Sequence, residues 1–156
     1  MGRMYSAVFQ GVDVTAAQDL FEINVPSDAI CVLHSVYVGQ ETEEGDAQDE
    51  MLQWSIVTGH ATSGSGGSAP TAQPLETGSP AFGGTVEVNN TTIASTGTAS
   101  IKHSDAFNVR AGLQYRPTPE ERIIGSPSAR ICIRLDDAPA DSITMHGTAI
   151  FEEIGG

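Results

Sequence analysis

The chain has 156 residues, of which 39% are hydrophobic and 17% are charged, and its formal net charge is −13. This length allows one domain that buries roughly two thirds of its unfolded surface. From Met4 to Ile101 there are 12 aspartates and glutamates and no lysine or arginine. Nucleic acid and anionic membranes are therefore poor partners, because binding a polyanion requires clustered cations.

Targeting signals are not apparent in the sequence. No run approaches the roughly 18 apolar residues that span a bilayer, and the first residues lack the apolar core of a signal peptide. We therefore expect a protein that is made in the cytosol and has no membrane partner.

The apolar residues predict strands. They recur at spacing two or in short solid runs, and they never hold the helical spacing of three and four for three turns. Eight strands are predicted, at Met4–Phe9, Leu20–Val25, Ile30–Val38, Met51–Val57, Thr85–Val88, Phe107–Leu113, Arg130–Leu135 and Ile143–Phe151. That number is typical of an antiparallel β-sandwich or jelly roll, so we predict one all-β domain over residues 1–156.

Two of these strands differ in their outward faces. In Arg130–Leu135 the apolar residues alternate with Cys132 and Arg134, which predicts that one face is buried and the other is wet. Ile30–Val38 is apolar on both faces, so it should be central in a sheet or covered by a partner.

Residues 59–84, called the arm below, separate two predicted strands. They include seven glycines, three prolines and a single acidic or basic residue, Glu76. A segment of this length without strands is either disordered or an ordered arm that contacts a neighbouring subunit, with Phe82 as its apolar anchor. In either case its removal should spare the fold.

A second loop is rich in acids, and it lacks the alternating carboxylates and central glycine of a calcium loop. Its acidic residues are Glu41, Glu43, Glu44, Asp46, Asp49 and Glu50. We predict a solvated loop. Residues 46–54 could form barely two helical turns, and we interpret them as loop followed by strand.

Signatures of chemistry are nearly absent. No histidine stands in a spacing that prearranges a metal, which predicts no metal site, and the glycine-rich run 64–69 is followed by Pro70 where a nucleotide-binding helix would begin. The histidines are His34, His60, His103 and His146. Cys31 and Cys132 are expected to be reduced, packed thiols. We therefore predict no enzyme activity and no cofactor.

All cations except Arg3 lie between Lys102 and Arg134. They are either scattered surface charges or one side of a polar molecule that docks on an acidic neighbour. The candidate interface residues are Phe82, Tyr37, Arg110, Arg116 and Arg122.

Five segments carry a family resemblance that covers nearly the whole chain. They are residues 15–23 (TAAQDLFEI), 33–40 (LHSVYVGQ), 89–92 (NNTT), 116–122 (RPTPEER) and 147–154 (GTAIFEEI). With these segments the chain resembles the jelly-roll decoration (cement) proteins of tailed bacteriophages and prophages. The resemblance implies a homotrimer at threefold positions on the capsid exterior, with the major capsid protein as its partner.

From the residues and the resemblance together, we expect a non-enzymatic virion protein that stabilises a capsid by bridging major capsid proteins. The host bacterial cytoplasm would be its place of synthesis. Two alternatives remain open: a carbohydrate-binding jelly roll that acts in adhesion, and a glycoside hydrolase with a pair of carboxylates, which sequence spacing alone does not reveal.

Overall fold

The computed structural model describes residues 2–42 and 50–156, and most of these form strands. The strands are β1 Arg3–Val14, β2 Gln18–Asn24, β3 Ala29–Gln40, β4 Met51–Thr58, β5 Gln73–Pro74, β6 Thr85–Asn90, β7 Ser100–Asn108, β8 Leu113–Tyr115, β9 Ile124–Gly125, β10 Arg130–Leu135 and β11 Ile143–Gly155. Among the described residues a 3-10 turn also spans Pro119–Glu121. Within these residues no helix is long and apolar enough to cross a bilayer.

The strands form two antiparallel sheets. Sheet 1 has the order β5-β1-β11-β3-β8, with β9 also paired to β3, and sheet 2 has the order β6-β2-β10-β4-β7. Pairing is nested along the chain, since β1 pairs with β11, β2 with β10, β3 with β8 and β4 with β7. A strand ribbon folded in this nested way is a jelly roll, so the predicted fold class is confirmed.

The core lies between the sheets, where alternate side chains of each strand meet. Its largest members with almost no exposed surface include Trp54, Tyr5, Phe21 and Phe151. The strand predicted at Ile30–Val38 is central, because β3 lies between β11 and β8. Its Leu33, Val36 and Val38 belong to the core.

Seven of the eight predicted strands each correspond to one observed strand, and β10 has the predicted bounds. The prediction of Phe107–Leu113 is wrong, because β7 ends at Asn108 and residues 109–112 form a turn before β8. Most side chains of β7 are exposed and polar, so this strand lacks the apolar alternation on which the prediction depended.

The acidic loop lies partly outside the described residues, which exclude positions 43–49. Of the described part, Glu50 accepts a hydrogen bond from the backbone N–H of Ala140 at 2.6 Å, and the strand β4 begins at Met51.

Candidate functional site

The outward face of sheet 2 is covered by the chain itself. Residues 59–68 of the arm pair with residues 91–99, as in the hydrogen bonds from Thr62 N to Ser95 O and from Ser65 N to Thr92 O, both at 2.9 Å. We call these two stretches the cover. Beneath it Cys132 packs with Val57 and Ala94 in a second, small apolar cluster. The prediction of a wet face on β10 is therefore wrong.

Two ion pairs lie between sheet 2 and the cover. The Arg130 Nε atom is 2.6 Å from Glu22 Oε1, and the Arg134 Nε atom is 2.6 Å from Asp19 Oδ1. Both carboxylates have no exposed surface. The Asp19 hydrogen bond raises the pKa of Arg134 against the opposing effect of burial. Burying an ion pair costs solvation free energy. This cost is offset only if the carboxylate oxygens also accept further hydrogen bonds.

The cover supplies those hydrogen bonds. The backbone N–H of Gly64 donates to Glu22 Oε2 at 2.9 Å, and the Ser63 hydroxyl contacts Glu22 and also donates to Glu87 at 2.7 Å. On the other pair, the backbone N–H of Ala94 donates to Asp19 Oδ2 at 2.7 Å. The cover is therefore hydrogen-bonded into the folded unit, and from these contacts we now expect removal of the arm to destabilise the fold.

Glycines allow this close approach. A Cβ atom at Gly64 would meet the Thr92 carbonyl oxygen, and one at Gly67 would meet the Val88 carbonyl oxygen. Only glycine lets the backbone of the cover lie at this distance from its neighbours.

The carboxylates under the cover do not form a glycosidase pair. Glu22 and Glu87 are close enough to share the Ser63 hydroxyl, but Glu22 is completely buried and already paired with Arg130. A hydrolytic pair needs room for a sugar and a water between its acids. Glu22 and Glu87 leave room for neither molecule.

The donor atoms of Asp19, Glu22 and Cys132 also lie within 4.8 Å of one another, all buried. This set does not suit a metal ion, because both carboxylates are held by guanidinium groups and metal ligation needs a thiolate. Burial, with the nearby Asp19 and Glu22, raises the pKa of Cys132. The thiol is therefore protonated. Cys132 and Cys31 are both free and buried, as predicted.

The second half of the arm packs on the sandwich edge. The Phe82 ring lies 5.4 Å from the Tyr5 ring and 4.9 Å from the Phe151 ring, and the Tyr5 hydroxyl donates to the Pro80 carbonyl at 3.0 Å. Burial raises the pKa of Tyr5. The predicted anchor for a neighbouring subunit is therefore used within its own subunit, where it extends the core.

The outward face of sheet 1 is not covered by any described segment. Its cross-strand rows join Met4, Glu152, Val32 and Ile124, then Ser6, Ile150 and Ser35, then Val8, Thr148, Tyr37 and Gln114. Val8 is 41% exposed, Ile124 58% and Ile154 41%. Tyr37, predicted as an interface residue, is half-buried on this face.

Few charged side chains lie on this outward face, and Glu152 among them has hydrogen-bond partners. Glu152 accepts hydrogen bonds from the backbone N–H of Gly2 at 2.8 Å and from His34 Nε2 at 3.0 Å. Burial opposes these two contacts, yet together they lower the pKa of Glu152 below its ordinary value. The face therefore combines exposed apolar side chains with few charges.

The predicted basic interface residues lie in different surroundings. Arg116 lines a cleft of about 420 Å³ with Lys102, His103, Tyr115 and Glu121. Arg110 follows β7 and lines a separate groove. The Arg122 Nε atom is buried and has no hydrogen-bond partner among the described residues.

The histidines serve packing and surface contacts. His103 packs against Trp54 and Tyr115, with ring centroids at 4.9 and 5.0 Å, and these two rings also contact each other. His60 contacts the Thr96 carbonyl oxygen, and His146 lies 3.1 Å from Glu41.

Comparison with known proteins gives no family assignment. No protein-family model matches the chain, and no curated protein matches it. Among solved structures, a chain from the T=1 particles derived from infectious bursal virus is similar over 100% of this chain and 39% of that chain. The identity is 13% and the TM-score is 0.17, and at this score the likeness carries no argument.

Proposed function

We propose that this protein is a non-enzymatic structural component of a bacteriophage virion, which decorates the capsid exterior and bridges major capsid proteins. The observation that carries the proposal is the difference between the two outward faces of the sandwich. Sheet 2 is covered by its own chain, whereas sheet 1 leaves apolar side chains such as Val8 and Ile124 exposed. We interpret these exposed apolar side chains as parts of an interaction surface.

Two further features support this assignment. Jelly rolls recur among viral capsid proteins, and the five sequence segments described above resemble decoration proteins. The net charge of −13 suits a soluble coat component whose attachment depends on a local apolar contact. Repetition of such a contact over a shell would make modest affinities collectively large through avidity.

The test is copurification with heads of the phage or prophage that carries the gene. We expect a fixed copy number per head. Val8→Asp combined with Ile124→Asp should weaken attachment by about 2 kcal/mol or more, since charge replaces apolar anchors at the interface. Ile93→Asp combined with Met51→Asp is the matched control, because their exposures of 39% and 59% match those of Val8 and Ile124, while Ile93 lies in the cover and Met51 on β4 of sheet 2.

Three results would overturn the proposal. One is the absence of the protein from purified heads, and the second is attachment unchanged by the double substitution. The third is glycan binding by the isolated protein without head association, which would favour the adhesion alternative.

A further inference from the structure

The strand β7 is an open sheet edge. Within the described residues it pairs only with β4, over the nine residues Ser100–Asn108. Its far side therefore presents a row of unpaired backbone N–H and C=O groups. Such a row is a template for another strand.

Most other edges of the sandwich are short or covered, and among the described residues the outer side of β1 is paired with β5 at Tyr5 and Ser6 only. Sheet 1 ends in β5, with two residues, and in β8 and β9, with three and two residues. The outer edge of β6 is closed by a bridge in which Ser68 N donates to Val88 O at 3.0 Å and Val88 N donates to Ser68 O at 2.8 Å. Native proteins usually blunt their edges by such devices. By comparison β7 is long and uncovered.

The exposed side chains of β7 do not fully guard it. Ile101 is 68% exposed, the highest value among the exposed large hydrophobic residues, and an apolar residue on an open edge favours association. Lys102 is a charge of the kind that protects edges, and the Asp105 side chain accepts the backbone N–H of Ala106 at 2.8 Å. These side chains therefore leave two alternatives for β7: an edge that is protected against association, or an edge that binds another strand.

A cleft of about 420 Å³ lies beside this edge. Lys102 lies on β7 and Arg116 follows β8, and both line the cleft without an ion pair or hydrogen bond to any described residue. By contrast Arg3, Arg130 and Arg134 are all paired with carboxylates. Asp105 and Glu121 also line the cleft, and each already accepts hydrogen bonds, from the Ala106 N–H and from Thr118. The two cations have no such partner among the described residues, so they are available to a carboxylate of another chain.

We propose that β7 binds an extended, acidic segment of another protein chain, which adds to sheet 2 as a further strand and places a carboxylate between Lys102 and Arg116. The backbone ladder would supply affinity, and the cleft would supply specificity. Nine residues of strand span about 30 Å, which is enough for a segment of similar length. The proposal goes beyond capsid decoration, since it holds for any chain that offers such a segment.

The experiment uses the isolated protein and three synthetic nine-residue peptides. One alternates valine and glutamate, one alternates valine and lysine, and the third is the acidic peptide with N-methyl groups on alternate amides. N-methylation removes the backbone donors of the peptide without altering the protein fold. Fluorescence anisotropy gives the affinity, and amide chemical shifts locate binding on residues 100–108.

We expect the acidic peptide alone to bind and to shift the amides of β7. Lys102→Glu combined with Arg116→Glu should weaken binding about tenfold or more, because like charges then face the carboxylate. Arg110→Glu reverses one charge outside the cleft and should leave the affinity within about twofold, whereas Lys102→Glu or Arg116→Glu alone, with the same change of charge, should weaken binding more than this.

Several outcomes would overturn the proposal. If the acidic peptide does not bind, β7 is a protected edge. If the N-methylated peptide binds with the same affinity as the acidic peptide, backbone pairing does not contribute and the site is only a carboxylate pocket. Self-association through β7, seen as shifts of these amides with protein concentration, would replace the acidic segment by a second copy. Because no heads are used, failure here is distinguishable from failure of the decoration proposal.

Discussion

Glu22 and Arg130 lie on adjacent strands and form an ion pair that the chain buries beneath its own cover. The Nε–Oε1 distance is 2.6 Å, and the side-chain exposures are 0% for Glu22 and 16% for Arg130. The pair connects the strand core of sheet 2 to the glycine-rich segment above it, because Glu22 also accepts the Gly64 N–H.

Removing one charge of this pair should destabilise the protein strongly. Glu22→Gln keeps the size of the side chain but leaves the Arg130 guanidinium without a counter-charge, so the free energy of unfolding should fall by about 3 kcal/mol. Urea unfolding measures the change. The control is Glu76→Gln on the exposed part of the arm, which should stay within about 0.5 kcal/mol of the parent. A Glu22 variant as stable as this control would mean that the pair contributes nothing.

Phe82→Ala should lower the stability of the isolated protein. The ring is half-buried against Tyr5 and Phe151, so its loss should cost about 2 kcal/mol, less than for a fully buried phenylalanine. Leu75→Ala, at an exposed arm position, should cost little. Thermal unfolding of the two variants decides the matter. If Phe82→Ala weakened only attachment to a partner, the ring would be an interface anchor, as the sequence suggested.

Both thiols should resist alkylation in the native state. Burial, with a smaller contribution from Glu153, raises the pKa of Cys31 to about 12, so almost no thiolate is present at pH 8. Iodoacetamide should modify neither cysteine in buffer and both in denaturant, which mass spectrometry reads directly. Rapid modification of either native thiol would contradict the packing described above.

Glu152 should contribute to stability at neutral pH and lose that contribution in acid. Its folded pKa lies below the ordinary value of 4.5, so the unfolded chain binds the proton first as the pH falls. The contribution is therefore complete above about pH 5 and lost as the pH falls below 4.5 through the folded pKa. The stability difference between the parent and Glu152→Gln should shrink over this range. A difference that is independent of pH would show that the ionised form is not favoured in the fold.

Self-association should increase with salt. The net charge of −13 repels copies of the chain, and ionic strength screens this repulsion, so a homotrimer is expected to form more readily at high salt or on the particle. Light scattering over a series of salt concentrations measures the assembly. A chain that is monomeric at every salt concentration and also on the particle would contradict the prediction.

Much of the fold followed from alternation of apolar residues, and the exceptions have physical causes. Most of β7 was not predicted, because an exposed edge strand needs no apolar face. The buried charges under the cover were harder to anticipate. Arg130 and Arg134 are four residues apart and so share a face, but Asp19 and Glu22 are three apart and would face opposite ways in a regular strand. A register shift between Ile133 and Arg134, opposite Phe21 and Asp19, brings the pairs together.

The candidate surfaces were only partly foreseeable for the same reason. The composition of the arm marked it as unusual, but apolar anchors such as Phe82 give no sign of whether they fill their own core or a neighbour's. Lys102 and Arg116 lie in one cleft because β7 and β8 are edge strands of opposite sheets. That proximity depends on topology, which the spacing of the two residues along the chain does not encode.

The nested pairing of strands also determines how the chain can fold in time. β11 lies between β1 and β3 in sheet 1, and its Glu153 pairs with Arg3, 150 residues earlier. The backbone groups on this side of β1 therefore have no partner until β11 has been synthesised. Chains dominated by such distant contacts fold slowly, over milliseconds to seconds. A growing chain that has not yet produced β11 thus exposes the edges of β1 and β3, and this is the interval in which a chaperone would have most to protect.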